Sequence, residues 1–205
     1  KGIKLKGMWR TIYILPYAVP AFISLLVFRL MFNGIGPINN MLVNFGIERI
    51  PFFTDPILAK ISVLAINTWV GAPYFMVLLS GSLTNISSTL YEAAEIDGAT
   101  KMQQFKHITL PMLLFQTAPV LILSFAYNFN NFGAIYLLTD GNPVNSNLKF
   151  AGETDILVTW LYKLTVNQQQ FGMAAVISIV LFAFIATVSL YNFRKSKSFT
   201  EEDMI

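Results

Sequence analysis

Two groups of polar and aromatic residues lie inside otherwise apolar stretches of the sequence. The first group follows an i, i+4, i+7 spacing and consists of Asn67, Gly71 and Tyr74. The second follows an i, i+3, i+4, i+7 spacing and consists of Ser124, Tyr127, Asn128 and Asn131. These spacings place each group on one face of a helix. Amides can hydrogen-bond hydroxyl groups and aromatic rings can stack on a sugar, so two uncharged faces of this kind favour a cavity for a neutral carbohydrate.

Another interpretation of the two polar faces stays open at this point. Asn, Ser and Gly also join helices to each other in membrane bundles, without binding any ligand.

Catalysis has less support, because the chain has no Cys, one His, His107, and no acidic residue inside its apolar stretches. Thiol chemistry, disulfides and His-cluster metal sites are therefore excluded, and a membrane enzyme is disfavoured. A net charge of +3, dispersed along the chain, does not indicate nucleic-acid binding.

The composition predicts that these faces belong to membrane-spanning helices. Charged residues make up 12% of the 205 residues, against about 25% in soluble domains, and the mean hydropathy is +0.58. A spanning helix needs about 20 mostly apolar residues. We therefore predict an all-α polytopic bundle with four transmembrane helices, at residues 11–32, 61–80, 110–129 and 172–193. Pro16 and Pro20 should kink the first of these.

Basic residues predict the orientation of the chain. Placing both termini in the cytoplasm puts nine basic residues inside and leaves four outside. The inner set comprises Lys1, Lys4, Lys6, Arg10, Lys101, Lys106, Arg194, Lys195 and Lys197. With this orientation residues 33–60 and 130–171 are external. Residues 81–109 form a cytoplasmic loop, and 194–205 a cytoplasmic tail.

The cytoplasmic loop has strong helix start and stop signals. Thr89 with Glu92 and Thr100 with Gln103 each fit a capping box, so two short helices are predicted, the first beginning directly after Thr89 and the second running toward Pro111. Gly98 can end the first helix in a left-handed conformation. This pattern is typical of a helix-turn-helix elbow that docks on a partner, although a solvated connector would also fit it.

A resemblance adds to this interpretation of the elbow. The spaced residues that carry it are Glu92-Ala93-Ala94, Gly98, Ile108, Leu110 and Pro111. They resemble the EAA loop of permease subunits of ATP-binding-cassette importers, which forms the coupling helix in a cleft of the nucleotide-binding subunit. The resemblance implies contact with that ATPase subunit at Glu92, Ala93, Ala94, Asp97 and Gly98.

A second resemblance covers nearly the whole chain. The segments ILPYAVPAF, NTWVGAPY, SFAYNFNNF, GETDILVTWLY and FGMAA resemble MalF-type permease subunits of maltose/maltodextrin importers. Carried over by position, the resemblance implies sugar contacts at Asn67, Val70, Gly71, Tyr74, Ser124, Tyr127, Asn128 and Asn131. Tyr127 replaces a Phe of the family's well-known member, and Val70 is a different aliphatic residue, which leaves the preferred oligomer length open.

The resemblance also implies a function and partners. It implies the C-terminal part of a permease subunit of an ATP-driven, binding-protein-dependent importer of maltose or maltodextrins in the bacterial cell membrane. The partners would be a second, MalG-like permease, a nucleotide-binding ATPase dimer and an extracellular sugar-binding protein. The chain has no G-x-x-x-x-G-K-[ST] loop, so ATP and Mg²⁺ would be used by the ATPase subunit and no cofactor by this chain. An importer of another oligosaccharide and an ATP-independent carrier or channel are the alternatives.

The external segment 130–171 has a matching role in that family. There it helps to receive the sugar-binding protein, and Asp140, Gly141, Asn142 and Pro143 begin a turn that could reach it. Trp160 and Tyr162 are expected to be anchors at the membrane interface. Because the family has further spans before the first one here, we expect additional core helices upstream.

Overall fold

The computed structural model describes residues 5–195, and the side chains of Lys6, Arg10 and Lys195 lie outside that description. Residues 196–205 of the predicted tail, and the basic residues Lys1, Lys4 and Lys197, lie outside the described residues. Within them the ten α-helices are α1 (Lys6–Ile14), α2 (Ala21–Met31), α3 (Pro37–Asn44), α4 (Pro56–Thr84), α5 (Ser88–Ile96), α6 (Lys101–Gln104), α7 (Leu110–Phe129), α8 (Phe132–Leu138), α9 (Leu157–Tyr162) and α10 (Phe171–Lys195). The predicted all-α class is confirmed.

Three helical stretches are long and apolar enough to cross a membrane. They are α4, α10 and the stretch Lys101–Phe129, in which a π-helical turn, Phe105–Thr109, joins α6 to α7 without a break. Each begins before the corresponding predicted span, and α4 and α10 also end after it. The predicted spans were bounded by charged or polar residues, whereas a helix continues past the hydrocarbon layer as long as its backbone bonds are made.

The predicted kink at Pro16 and Pro20 is present, and it is sharp enough that residues 11–32 are not one continuous helix. A 3₁₀ turn, Leu15–Ala18, separates α1 from α2, and the two helices are bent by 94°, so they amount to a fourth span only if the broken pair is taken as one. Pro16 and Pro20 lack the backbone donors that a continuous helix needs. Val19, directly before Pro20, is extended, as steric contact with a following proline favours.

The chain divides into two compact units. The first unit contains the residues up to Pro73 together with Asn128–Ala183. Its buried apolar core joins α2, α4 and α8 and consists of Leu25, Val63, Ile66, Ile135 and Leu138. The core gives α8 a fixed place against the helices that precede it in the sequence.

The second unit contains Tyr74–Tyr127 and the described residues from Phe184 onward. It includes the end of α4, the predicted elbow and most of α7. Tyr91 of α5 hydrogen-bonds through its hydroxyl to Thr109 Oγ1 at 2.8 Å, and the side chain of Gln104 is buried. These contacts hold α5 against the helix that leads into α7.

Large apolar side chains are exposed along the long helices. Phe182 and Ile179 of α10 are 73% and 68% exposed, and Leu123 of α7 is 69% exposed. Apolar surface of this extent is expected to face lipid or another protein chain. The exposed faces therefore agree with the membrane class that the composition predicts.

Candidate functional site

Three asparagines of the first unit form a chain of side-chain hydrogen bonds. Asn131 Nδ2 donates to Asn67 Oδ1 at 3.0 Å, and Asn67 Nδ2 donates to Asn128 Oδ1 at 3.3 Å. Asn67 and Asn131 are half-buried, and Asn128 is exposed. Within the described residues, Asn67 and Asn131 each donate through their side-chain amide only once, so a ligand hydroxyl can accept from the second N–H group of either side chain.

The prediction that Asn131 continues the helical face of Ser124, Tyr127 and Asn128 is wrong. Helix α7 ends at Phe129, and Asn131 lies in the connection to α8 with φ −75° and ψ 65°. Phe132 N donates to Asn130 O at 2.7 Å, which closes an inverse γ-turn around Asn131. Asparagine side chains compete with the backbone for hydrogen bonds, and here the Asn131 side chain caps the next helix instead of extending the last one.

Val70 and Gly71 lie on the same helix as Asn67, in the first unit. Val70 is half-buried and packs against the apolar core, so its side chain already has protein partners. At Gly71 an added Cβ would meet no atom within 4 Å among the described residues. A ligand or another chain can therefore approach the α4 backbone closely at this position.

The other three predicted sugar contacts belong to the second unit. Tyr74 is 41% exposed and meets the ring of Phe75 edge-on at 5.3 Å between centroids. Tyr127 is 69% exposed, and Ser124 is half-buried. The structure thus brings the three asparagines into contact within one unit and places the two tyrosines with exposed rings in the other.

The first helix of the elbow does not begin as predicted. Its N-cap is Ser87, whose side chain accepts from Thr89 N, and α5 starts at Ser88. Thr89 and Glu92 therefore do not form the predicted capping box. Ser87 is extended, with φ −62° and ψ 134°, as an N-cap requires, and its hydroxyl lies 2.8 Å from that of Thr89.

The predicted turn and second capping box of the elbow are confirmed. Gly98 has φ +78°, Ala99 N donates to Ala94 O at 2.9 Å and Gly98 N donates to Glu95 O at 3.1 Å, which together make a Schellman motif. Thr100 and Gln103 satisfy each other's backbone N–H groups through their side chains. The second helix then continues past Pro111 into α7 rather than ending near it.

An ion pair spans the turn of the elbow. Lys101 Nζ contacts Glu95 Oε1, and both side chains are largely exposed. This hydrogen bond and the positive charge of Lys101 lower the pKa of the Glu95 carboxyl. Glu92 and Asp97 are exposed, so these two carboxylates remain available to basic groups of another protein.

Two elbow residues were missed by the sequence analysis. Ile96 and Met102, on either side of the turn, are 87% and 73% exposed. Large apolar side chains in a polar loop usually mark a surface that another chain covers. The signal was visible in the sequence, because both interrupt a hydrophilic stretch without fitting the apolar face of a helix.

The outer segment, residues 139–163, is held by bonds between distant residues. Lys163 Nζ pairs with Asp155 Oδ2 at 2.8 Å, and the Asp155 side chain is only 2% exposed. Thr139 and Thr154 join through their hydroxyl groups at 2.7 Å, and Glu153 Oε2 accepts from Lys60 Nζ of α4 at 2.5 Å.

The backbone of the outer segment packs closely at two glycines. An added Cβ at Gly152 would lie 2.0 Å from Gly141 O, and one at Gly141, whose φ is +77°, would lie 2.1 Å from Asp155 Oδ1. The predicted turn at 140–143 is therefore part of a fixed structure, with Asn142 Nδ2 donating to Thr139 O.

Trp160 and Tyr162 make contacts inside the same region. Trp160 Nε1 donates to Lys149 O at 2.9 Å. The Tyr162 ring lies 5.1 Å from that of Phe132 and 5.4 Å from that of Tyr136, and its hydrogen bond raises the pKa of the Tyr136 phenol. Their predicted role as membrane-interface anchors stays a prediction, and packing within the segment is a role that the structure adds.

The described residues contain no group of three or more His, Cys, Asp or Glu side chains that could hold a metal ion. The features that could bind a ligand or another protein are the chain of amides, the exposed rings of Tyr74 and Tyr127, and the capped elbow. Such uncharged polar groups on membrane-spanning helices, with a polar elbow between two spans, are typical of a transport protein's membrane subunit. The chain belongs to the family described as binding-protein-dependent transport system inner membrane components, whose model matches residues 1–197.

Members of this family are non-catalytic multi-pass membrane components that use no cofactor of their own. The chain is similar to the galactooligosaccharide transport system permease protein GanP of Bacillus subtilis, with 42% identity over 98% of this chain and 49% of the relative. It is also similar to the maltodextrin transport system permease protein MdxF of the same organism, with 43% identity over 99% of this chain and 48% of the relative. The chain spans about half the length of these curated relatives.

A solved structure has the same fold. A bacterial ABC transporter involved in the import of the acidic polysaccharide alginate includes a chain with a TM-score of 0.79 and 25% identity to this one. The match covers 97% of this chain and 68% of that chain. The all-α arrangement with three or four candidate spans therefore resembles that of an ABC importer permease.

Proposed function

We propose that this chain forms part of the translocation path of an ABC importer for neutral oligosaccharides. The observation that carries the proposal is the chain of hydrogen-bonded amides, in which Asn67 and Asn128 lie on helices that can span a membrane and Asn131 lies directly after one of them. Amide N–H and C=O groups match the donors and acceptors of sugar hydroxyls, and Tyr74 and Tyr127 offer exposed rings for stacking. An added Cβ at Gly71 would meet no atom within 4 Å among the described residues, which leaves room for a sugar.

The sugar class follows from charge and from the relatives. None of the eight candidate residues is charged, so an acidic sugar would have no cation to pair with at these positions. The permeases for galactooligosaccharides and for maltodextrins are nearly equally similar to this chain. Both are short neutral oligosaccharide systems, and we propose this class, with maltodextrin the expected member and galactooligosaccharide the alternative.

The elbow would couple this path to an ATPase subunit. Its turn is rigid, with a Schellman motif followed by a capping box, and its tip exposes Ile96 and Met102 beside Glu92 and Asp97. A stiff element with an apolar tip and an acidic rim suits a cleft on a second protein. Closure of an ATPase dimer would then move the elbow, and α7 with it, because α6 continues into α7.

The sugar site is tested by two substitutions in the assembled transporter with its full-length permease. We expect Asn128→Ala and Tyr74→Ala each to raise the KM for maltotriose or a galactotriose by about 5- to 30-fold, since a lost hydrogen bond or stack to a ligand is worth about 1–2 kcal/mol. Thr68→Ala is the matched control, because Thr68 neighbours Asn67 on α4 and its hydroxyl already donates to Leu64 O. Unchanged uptake of every sugar in Asn128→Ala and Tyr74→Ala would contradict the proposed sugar site.

The elbow is tested by two glycines with the same backbone conformation. Gly98 and Gly46 have φ +78° and +76°, and at either position an added Cβ meets no atom of residues 5–195 within 4 Å. Gly98→Ala and Gly46→Ala should therefore strain the chain equally, by about 1–2 kcal/mol. We expect Gly98→Ala and Glu92→Lys to lower sugar transport per ATP hydrolysed, and Gly46→Ala to leave it unchanged. Full transport in both elbow variants, Gly98→Ala and Glu92→Lys, would instead favour an ATP-independent carrier or channel.

We also propose the orientation with both termini in the cytoplasm. The sequence printed here has no Cys, so single cysteines introduced at Asn147 and Lys106 report on separate sides if any native cysteine of the full-length permease is first removed. A membrane-impermeant maleimide added to intact cells should label Asn147→Cys and leave Lys106→Cys unlabelled. The reverse pattern would invert the topology and contradict the coupling role of the elbow.

A further inference from the structure

Helix α8 begins where the amide chain ends. Asn131 Oδ1 accepts from Ala134 N at 3.3 Å, which caps α8, while Nδ2 of the same side chain donates to Asn67. We propose that Asn131 is a positioning residue that transmits sugar binding at the amides through α8 to the outer segment. The inference rests on the proposed function, because it takes the amides of Asn67 and Asn131 as the place where the sugar binds.

The capped helix sets the direction of every bond in the chain. A backbone N–H can only donate, so the Asn131 oxygen faces Ala134 and its NH₂ group faces Asn67. Asn67 must then accept from Asn131 through Oδ1, which directs its own NH₂ group toward Asn128. A sugar hydroxyl that donates to Asn67 Oδ1 would replace the bond from Asn131 Nδ2. The Asn131 side chain, which caps α8, would then lose its attachment to α4.

The connection before α8 has no spare residues. Asn131 is the central residue of an inverse γ-turn, closed by the 2.7 Å bond from Phe132 N to Asn130 O. Such a turn places a single residue between the two hydrogen-bonded ones. A change in the Asn131 side chain is for that reason passed to the first turn of α8 rather than absorbed by a loop.

The other end of α8 leads directly into the outer segment. The rings of Phe132 and Tyr136 contact Tyr162 of α9, and Thr139, which follows α8, bonds to Thr154. All of these residues belong to the first unit. A contiguous set of contacts thus runs from Asn67 to the segment that is proposed to receive the sugar-binding protein.

Further contacts restrict the part of α8 that can respond when its N-cap changes. Ile135 and Leu138 are buried in the core shared with α2, and Arg29 Nη1 donates to Leu137 O at 3.3 Å. These hold the C-terminal part of α8, so the response is expected in its first turn.

Hydrogen–deuterium exchange tests the inference in the assembled transporter with its full-length permease. We expect saturating maltotriose, or a galactotriose if the wild type prefers it, to speed exchange in the first turn of α8 by about fivefold, which corresponds to the loss of one N-cap. Sugar binding is measured on the same sample by calorimetry. Asn40→Ser is the control and should leave this response unchanged, since within the described residues the Asn40 side chain bonds only to Ile35 O and Arg49.

Two substitutions at Asn131 separate its two bonds. Asn131→Ser keeps an oxygen to cap α8 but is too short to reach Asn67, so sugar-free exchange should stay near the wild-type rate while the sugar response is lost. Asn131→Ala removes both bonds, and sugar-free exchange should rise by about fivefold.

The possible failures are distinguishable. If sugar binds the wild type, with affinity that depends on Asn128 and Tyr74, yet α8 exchange does not respond, the transmission is overturned and the site stands. A full sugar response in Asn131→Ser overturns it as well. If sugar affinity is indifferent to Asn128→Ala and Tyr74→Ala, the proposed function fails first and this inference fails with it.

Discussion

The elbow, residues 87–109, and the outer segment, residues 139–163, are held in shape by different kinds of contact. Most elbow bonds join near neighbours, such as Thr100 with Gln103 and Ala99 with Ala94. The outer segment depends on bonds across many residues, such as Lys60 with Glu153 and Thr139 with Thr154. A segment of the first kind takes its shape from its own residues, whereas the second kind needs the rest of its unit in place.

The two regions also differ in how they hold charge. The Glu95–Lys101 pair of the elbow is exposed to solvent, which screens it. In the outer segment the Asp155 carboxylate is 2% exposed and depends on Lys163 for its neutralisation. Removing one member of the ion pair should therefore destabilise the elbow only slightly and the outer segment strongly, because a buried charge without a partner is costly.

The largest expected effect comes from Lys163→Met in the outer segment. It leaves the Asp155 carboxylate buried without its cation and should destabilise the segment by about 3–5 kcal/mol. Hydrogen exchange of residues 139–163 in the assembled transporter measures this as faster local opening.

The double variant Asp155→Asn, Lys163→Met is its control. It removes both charges and should recover a large part of the loss, since no unpaired charge remains. If the double variant is as unstable as Lys163→Met alone, the ion pair is not what holds the segment.

A medium effect is expected at the start of the elbow. Ser87→Ala removes the N-cap of α5 and should destabilise that helix by about 1 kcal/mol. The measurement is hydrogen exchange in residues 88–96, while exchange in the outer segment should not change.

Thr89→Ala sharpens this prediction, because Thr89 was the N-cap expected from the sequence. Among the described residues, its hydroxyl hydrogen-bonds only to the hydroxyl of Ser87. Thr89→Ala should therefore perturb α5 less than Ser87→Ala, and the opposite order would restore the capping box of Thr89 with Glu92.

The smallest effect concerns the pH response of the elbow. Lys101 lowers the pKa of Glu95 below its usual value of 4.5, first through the hydrogen bond and then through its charge. A carboxyl with a lowered folded-state pKa contributes stability above its unfolded-state pKa, and that contribution is lost as the pH falls through the folded-state pKa. Exchange at residues 94–101 should accelerate slightly below pH 4.5 in the wild type and less in Lys101→Met. An equal response in both would show that the pair does not hold the turn.

The elbow was predicted nearly completely from the sequence, and the reason is local. Gly98 in a left-handed conformation and the Thr100–Gln103 box depend only on residues a few positions away. The N-cap error, Thr89 in place of Ser87, arose because two adjacent serines and a threonine all suit an N-cap. Which hydroxyl faces the free N–H depends on the backbone dihedrals at that point, which residue types alone do not specify.

The candidate site was predicted only in part. The residue types, their confinement to apolar stretches and the end of the third span at residue 129 were visible, but the i, i+7 spacing wrongly placed Asn131, which lies two residues beyond the end of α7, on the same helical face. Periodicity carries no information about where a chain turns when Asn128, Asn130 and Asn131 follow one another without Pro or Gly among them. The pairing of Asn67 with Asn131, which are 64 residues apart, had no local signal at all.

The amino-acid sequence was sufficient for the membrane class, the three long helices and the elbow. Scarce charge, long apolar runs and cap residues act over short distances and need no knowledge of the fold. Tertiary packing was required for Asn131 to join α4 to α8 and for Asp155 to be buried beside Lys163. Those features depend on residues that meet only after the chain has folded, because the burial and the partner of a polar group are properties of its surroundings rather than of its type.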